Sequence, residues 1–268
     1  MTRIVGAYAF SHAPQILAQP DFGEEYKAKL KKIQEALMEV GRRIQRAAPD
    51  AILLLGSDHL ESFFLHNYPQ LLIFTGPEIA GSYAGYTLKL NCYPDLARDM
   101  LFSLVQDGYD LSFSQEMALD HPYVSPMAWV TKTSNGSRYI PFHINSNVAP
   151  KVNPSRCLEL GRSIRKFFDG YSAIDKVAIL ATGGLSHFPG TPKYGTVDTE
   201  ADNEILQIIK DGKCTKLAKF TDDWLDNAGE FEVRTWMTAA GAVGDVPGEI
   251  IAYERMWHIG MCVASFGA

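Results

Sequence analysis

The chain has 268 residues, 46% hydrophobic and 21% charged, which is the make-up of a globular protein rather than a disordered or fibrous one. Its 31 acidic residues outnumber 25 basic ones, for a formal net charge of −6. No lysine or arginine cluster is denser than residues 27–32, so nucleic acid is not expected as a partner. The longest apolar runs, 51–56 and 177–181, fall far short of the ~20 residues a membrane-crossing helix needs. One soluble domain over residues 1–268, with no membrane partner, is therefore expected.

The opening MTRIVGAYAF has one arginine and no apolar core followed by a small-residue cleavage site. It reads as a strand over 4–10 rather than an export signal. A long helix over 22–48 follows, in which Leu30, Ile33, Leu37, Val40 and Ile44 recur at spacings of three and four between charges, the pattern of a helix lying on a sheet. Apolar runs predict strands at 51–56 and 70–75. Residues 76–85 hold several glycines and tyrosines with little periodicity and read as a connection, a candidate loop over a site. A helix over 95–106 starts behind Pro94, a natural helix start. Strands at 139–144, 176–181 and 249–253 alternate with helices at 155–168, 199–210 and 230–241. This order predicts an α/β fold: a central, mostly parallel or mixed sheet flanked by helices, with the active site at the carboxyl ends of the strands. Cys92, Cys157, Cys214 and Cys262 are dispersed and form no C-x-x-C pair, which predicts reduced structural thiols in a cytoplasmic protein.

Three of the seven histidines share a place in this pattern. His12 follows IVGAYAF, His59 follows AILLLGSD and His187 follows VAILATGGLS, so each lies just past the end of a predicted strand. Strand ends of a parallel sheet line one edge, where ligands bind, and imidazole is the commonest transition-metal side-chain ligand. Ser11 and Asp58, each next to a histidine, are candidates for supporting hydrogen bonds. Gly183 and Gly184 permit a tight, ligand-facing turn before His187. His121, between Asp120 and Pro122, reads as a loop residue, because proline disfavours helix at the residue before it. His66, His143 and His258 lack such context and are left outside the site.

Two histidines and a carboxylate make a facial triad that holds Fe(II) with open positions. Glu230 and Glu232 in AGEFEVRTW are the candidate carboxylates; two apart on a helix, they point in different directions, so one of them at most faces a metal. The same donor set also describes catalytic zinc, so a zinc-dependent hydrolase is the alternative, although no H-E-x-x-H is present. No credible G-x-G-x-x-G fingerprint points to a dinucleotide cofactor.

Taken in order, Ser11-His12-Ala13-Pro14, Asp58-His59, Asp120-His121, Gly183-Gly184-Leu185-Ser186-His187 and Glu232-Val233-Arg234-Thr235-Trp236 resemble the class II (LigB-type) extradiol ring-cleaving dioxygenases. The resemblance spans residues 11–236. It implies that His12, His59 and Glu232 ligate Fe(II), with Glu232 favoured over Glu230 because it begins the Glu-x-Arg-x-Trp pattern. It also implies that His187 is the acid/base residue beside a substrate hydroxyl and His121 a second active-site histidine. The implied reaction opens the ring of a catechol-type or 2-aminophenol-type substrate with O2, both oxygen atoms entering the product. The chain looks like the β-type catalytic portion, for which a small α subunit or a homodimer is the implied partner.

Overall fold

The computed structural model describes residues 1–267. Its elements run β1 (Arg3–Ser11), α1 (Gln15–Ala18), α2 (Glu24–Ala47), β2 (Ala51–Gly56), β3 (Leu71–Phe74), β4 (Glu78–Tyr83), β5 (Tyr86–Asn91) and α3 (Pro94–Gln106). They continue with β6 (Ser112–Ser114), α4 (His121–Val130), β7 (Arg138–Ile144), α5 (Pro154–Gly170), β8 (Lys176–Gly183) and α6 (Thr199–Lys210). The last are α7 (Asp222–Ala228), α8 (Arg234–Val243), β9 (Gly248–Arg255) and β10 (Gly260–Phe266).

Eight strands form one mixed sheet in the order β6-β3-β7-β2-β8-β1-β10-β9. Its centre, β7-β2-β8-β1, is parallel, so these four strands deliver the residues after them to the same edge. β2 is buried throughout and β8 almost so, as expected of strands covered on both faces. The pleat divides their side chains: Ile52 and Leu54 join the core under α2 and α4, whereas Leu53 and Leu55 join the core under α5 and α8. On α2 the predicted stripe is the buried one, with Leu30, Ile33, Leu37, Val40 and Ile44 all inside. Helices α5 and α8 cross closely, because an added Cβ on Gly161 would lie 2.1 Å from the Thr238 carbonyl oxygen and one on Gly241 2.2 Å from that of Leu158. This contact seats α8, and the turn entering it, against the sheet. Among the described residues no helix is long and apolar enough to cross a membrane.

Besides α1, β6 and α7, which the sequence pattern does not mark, four features differ from the sequence reading. Residues 76–85 are no loose connection: most of them belong to the β4–β5 hairpin, whose turn residues Ala84 and Gly85 have positive φ. The period-2 burial of Ile79, Gly81, Leu88 and Leu90 was masked by the glycines and tyrosines around it. His121 is not in a loop but opens α4, with Asp120 at the cap; Pro122 lies in the first turn, where a missing N–H costs nothing. The helix expected at 230–241 begins as a 3-10 turn, Phe231–Val233, before α8. Finally, β10 went unread. Its small residues carry no alternation because it is buried on both faces, between β1 and β9.

All four cysteines are free and buried. Burial pushes the thiols of Cys92, Cys157 and Cys214 up to about 12, and that of Cys262 higher still. The thiolate is the reactive species, so Ellman's reagent is expected to modify none of the four in the native protein within minutes and all four after denaturation. Rapid native labelling of even one would contradict this packing.

Candidate metal centre

The parallel centre of the sheet brings the strand-end histidines together. His12 follows β1, and its N–H donates to the Gly183 carbonyl on neighbouring β8 at 2.8 Å. Ser11 before it accepts the Cys262 N–H of β10 at 2.9 Å, tying the turn to the strand on the other side. The His12 ring is buried, with Nδ1 3.3 Å from Thr182 Oγ1 and Nε2 2.9 Å from Glu232 Oε2. Burial outweighs the pull of Glu232 and lowers this imidazole to about 4, so it is neutral near pH 7.

His59 follows β2 and is 23% exposed. Asp58 shapes the loop rather than the ring: its carboxylate accepts N–H bonds from Leu60, Ser62 and Phe63. The His59 N–H instead donates to Asp120 Oδ2 at 2.6 Å, and His59 Nε2 lies 2.8 Å from Glu232 Oε1. Burial opposes protonation of His59, but the Asp120 and Glu232 carboxylates outweigh it and raise the ring to about 10. Asn147, in the segment after β7, places its Nδ2 3.0 Å from the Asp58 carbonyl and within 3.4 Å of both His59 ring nitrogens. Nothing in the sequence marked Asn147; recognising that β7 runs parallel beside β2 would have placed it at this edge.

His121 sits opposite, its ring centroid 4.7 Å from that of His59. Its Nδ1 is bracketed by Glu61 Oε1 at 2.7 Å and Asp120 Oδ1 at 2.9 Å. Burial would raise the Asp120 carboxyl, but the hydrogen bonds from His121 and His59 prevail and hold it well below the carboxylate range. His187, after β8, donates Nδ1–H to the Leu185 carbonyl at 2.8 Å; this fixes the tautomer and leaves Nε2 as an acceptor, 3.5 Å from Glu232 Oε2. Its loop is pinned by Ser186, whose N–H donates to Asp202 and whose hydroxyl donates to the Ala228 carbonyl.

Glu232, in the 3-10 turn before α8, is buried beneath these rings. Burial alone would raise its carboxyl; the imidazoles of His12 and His187 outweigh that and hold it well below the usual range, as the anion. Glu230 points elsewhere. It is buried beside Asp202, and burial together with that second carboxyl raises it well above the usual range, so it is the protonated partner of the two. Arg234 is a structural residue: buried, it donates to the carbonyls of Val152 and Phe231 and pairs with Asp222.

One donor atom each of His12, His59 and Glu232 lies within 4.8 Å of the others. His12 Nε2 and Glu232 Oε2 are buried and lack a hydrogen-bond partner of good geometry although only 2.9 Å apart. Two lone-pair groups aimed at one point without a proton well placed between them suit a bound cation, and two imidazoles with one carboxylate suit a first-row divalent metal. Asp120 also approaches His59 and His121; its Oδ2 accepts the His59 N–H, and its Oδ1 lies 2.9 Å from His121 Nδ1.

These groups open into a pocket lined by His12, His59, His121, His187 and Glu232. Pro14, Pro189, Ile259 and Tyr194 supply apolar wall. His258, set aside on the sequence, lines this cavity as well; recognising β10 beside β1 would have put the turn before it at this edge. His143 is buried in β7 against the Pro69 carbonyl, and His66 stacks on Phe64 at the surface.

Gly184 is required by this packing. A Cβ there would meet Glu232 Oε2 at 2.5 Å and His187 Cε1 at 3.3 Å. Gly184→Ala is therefore expected to displace the carboxylate and weaken divalent-metal binding roughly 10- to 100-fold, as loss of a supporting contact typically does. Titration calorimetry would measure it; wild-type affinity would contradict the arrangement.

A family model described as the catalytic LigB subunit of aromatic ring-opening dioxygenase matches residues 6–264. A Photorhabdus laumondii protein named 2,3-dihydroxyphenylpropionate/2,3-dihydroxicinnamic acid 1,2-dioxygenase is 23% identical over 306 aligned positions, covering 95% of each chain. A protein of the same name from Rhodococcus globerulus is 29% identical over 73% of this chain and 60% of its own length. A crystal structure of uncharacterized protein JW3007 from Escherichia coli K12 superposes with a TM-score of 0.67 at 14% identity, covering 98% of this chain and 100% of that one, which speaks for the fold alone.

Proposed function

Because the chain belongs to the LigB family of catalytic subunits of aromatic ring-opening dioxygenases, we propose that it is an Fe(II)-dependent extradiol dioxygenase, opening the ring of a catechol-type or 2-aminophenol-type substrate with O2. The observation that carries this reading is the convergence of His12 Nε2 and His59 Nε2 on the two oxygens of Glu232, at the floor of a pocket with an apolar wall. In this reading these three side chains hold the iron. Bound Fe(II) supplies adjacent positions for the diol and dioxygen and lowers the pKa of a ring hydroxyl.

His187 is the base. With Nδ1–H committed to the Leu185 carbonyl, its Nε2 accepts the proton of a ring hydroxyl and later returns it. His121, with Nδ1 engaged by Asp120 and Glu61, offers Nε2 as a hydrogen-bond partner for oxygen on the other side of the ring. The apolar wall excludes water from the reacting atoms. Part of the same reading is a second chain at the cavity mouth, a small α-type subunit or another copy. Tyr194 lines the cavity and meets Trp257 edge to face, and Trp257 meets Phe22 in the same way; this exposed aromatic patch beside the cavity supports it.

The test is the purified chain, loaded anaerobically with Fe(II) or Zn(II) and offered catechols, 2-aminophenol and gallate. Oxygen uptake with Fe(II) alone, a yellow product and two labelled atoms from ¹⁸O2 are expected. Ester or amide hydrolysis with Zn(II), and no oxygen uptake with Fe(II), would favour the hydrolase instead.

A further inference from the structure

We propose that the cavity selects dihydroxyaromatic rings bearing an uncharged polar substituent, and that His258 receives that substituent through a hydrogen bond; this rests on the ring-opening reading above. His258 lies in the turn Met256–Ile259 between β9 and β10, closed by Met256 N–H to the Ile259 carbonyl at 2.9 Å. Gly260 N–H donates to the Ser186 carbonyl at 3.0 Å, and Ile259 bridges to His187. The turn is thus fastened to the same loop that carries His187, and the separation of the two imidazoles is set by the backbone.

The His258 side chain is unusual in its company. The residue is only 5% exposed and neither ring nitrogen has a partner in the protein, yet it lines the cavity. Trp257 lies 4.4 Å from it centroid to centroid, Tyr26 lies nearly parallel to it at 6.0 Å, and Tyr194 is 6.2 Å away. Buried polar atoms are almost always satisfied, and an imidazole with a donor and an acceptor to spare, facing a cavity, calls for a ligand atom.

Charge decides what kind of atom. Among the described residues, no lysine or arginine lines the cavity. Lys29 and Arg255 lie in a separate surface groove behind Tyr26 and Trp257, with Lys29 paired to Glu25 at 2.7 Å. Burial lowers His258 to about 4, so it carries no charge near neutrality. A substrate carboxylate beside His258 would enter a site that already holds the Glu232 anion and would find no lysine or arginine to replace its hydration. A carboxamide, hydroxyl or carbonyl makes the same contact with His258 at no such cost.

The experiment uses two matched pairs, 2,3-dihydroxybenzamide against 2,3-dihydroxybenzoate and the 3,4-isomers, with catechol as the unsubstituted reference. Binding is measured by anaerobic calorimetry on the Zn(II)-loaded chain, where no ring is opened, with the ligand recovered afterwards to check that it is intact, and steady-state kinetics are measured on the Fe(II)-loaded chain. The amide of at least one pair should bind about tenfold tighter than its acid. His258→Phe should abolish that preference and raise KM for the amide about tenfold, several-fold more than it raises KM for catechol. His258→Asn, which keeps a donor and an acceptor, should recover part of the difference. Equal binding of amide and acid by the wild type, or equal weakening of amide and catechol in His258→Phe, overturns the proposal. If His258-dependent amide binding occurs but no ring is opened with Fe(II), the inference stands and the ring-opening reading falls; ring opening without discrimination does the reverse.

Discussion

Glu232→Gln is expected to leave the chain folded and nearly free of metal, with ring opening reduced at least in proportion. Both imidazole nitrogens lie within 2.9 Å of this one carboxylate, and the amide that replaces it has the same shape but no charge. Removing one partner of a buried charged set costs about 3–5 kcal/mol, equivalent to roughly 10²- to 10⁴-fold in metal affinity. Metal content after dialysis, measured by plasma emission, reads this directly, and circular dichroism checks the fold. The matched control is Glu230→Gln. Glu230 faces Asp202 as the protonated member of that pair, so its neutral amide should hold wild-type metal. Were the two variants to exchange these phenotypes, the assignment of the carboxylate would be reversed.

His187→Phe separates proton transfer from metal binding. The ring packs against Phe231 at 5.0 Å and is mostly buried, so phenylalanine fits the space. The three proposed ligands are untouched, and iron content should equal that of the wild type. The lost group is the acceptor nitrogen, and general acid/base groups contribute roughly 10²- to 10⁴-fold. A fall of that size in kcat for catechol, followed with an oxygen electrode, is expected. A variant in which only KM rises would make His187 a binding residue and leave the base unassigned.

The histidines at positions 12, 59 and 187 were readable because a buried parallel strand announces itself as an unbroken apolar run, and the residue after it inherits a known edge. The structure bears out the mixed α/β sheet, with β8 lying between β1 and β2. What was hidden was hidden for physical reasons. β10 runs antiparallel to β1, so it is the turn before it, with His258, that reaches the site edge, and no local pattern encodes that reversal. His121 was misplaced because a proline that breaks a helix in its middle is harmless in its first turn. The choice between Glu230 and Glu232 turns on the 3-10 turn, which aims one carboxylate at the histidines and the other at Asp202, a contact 28 residues distant in the chain that no local pattern encodes.

The order in which these groups leave the ribosome has its own implication. His12 and Glu232 are 220 positions apart (232 − 12), and at about 5–20 residues per second the first is made roughly 10–40 s before the second. For the first 164 of those positions (176 − 12) β1 has no β8 beside it, and β10 follows Glu232 altogether. The three side chains therefore meet only once nearly the whole chain has been made, and a growing polypeptide presents them apart.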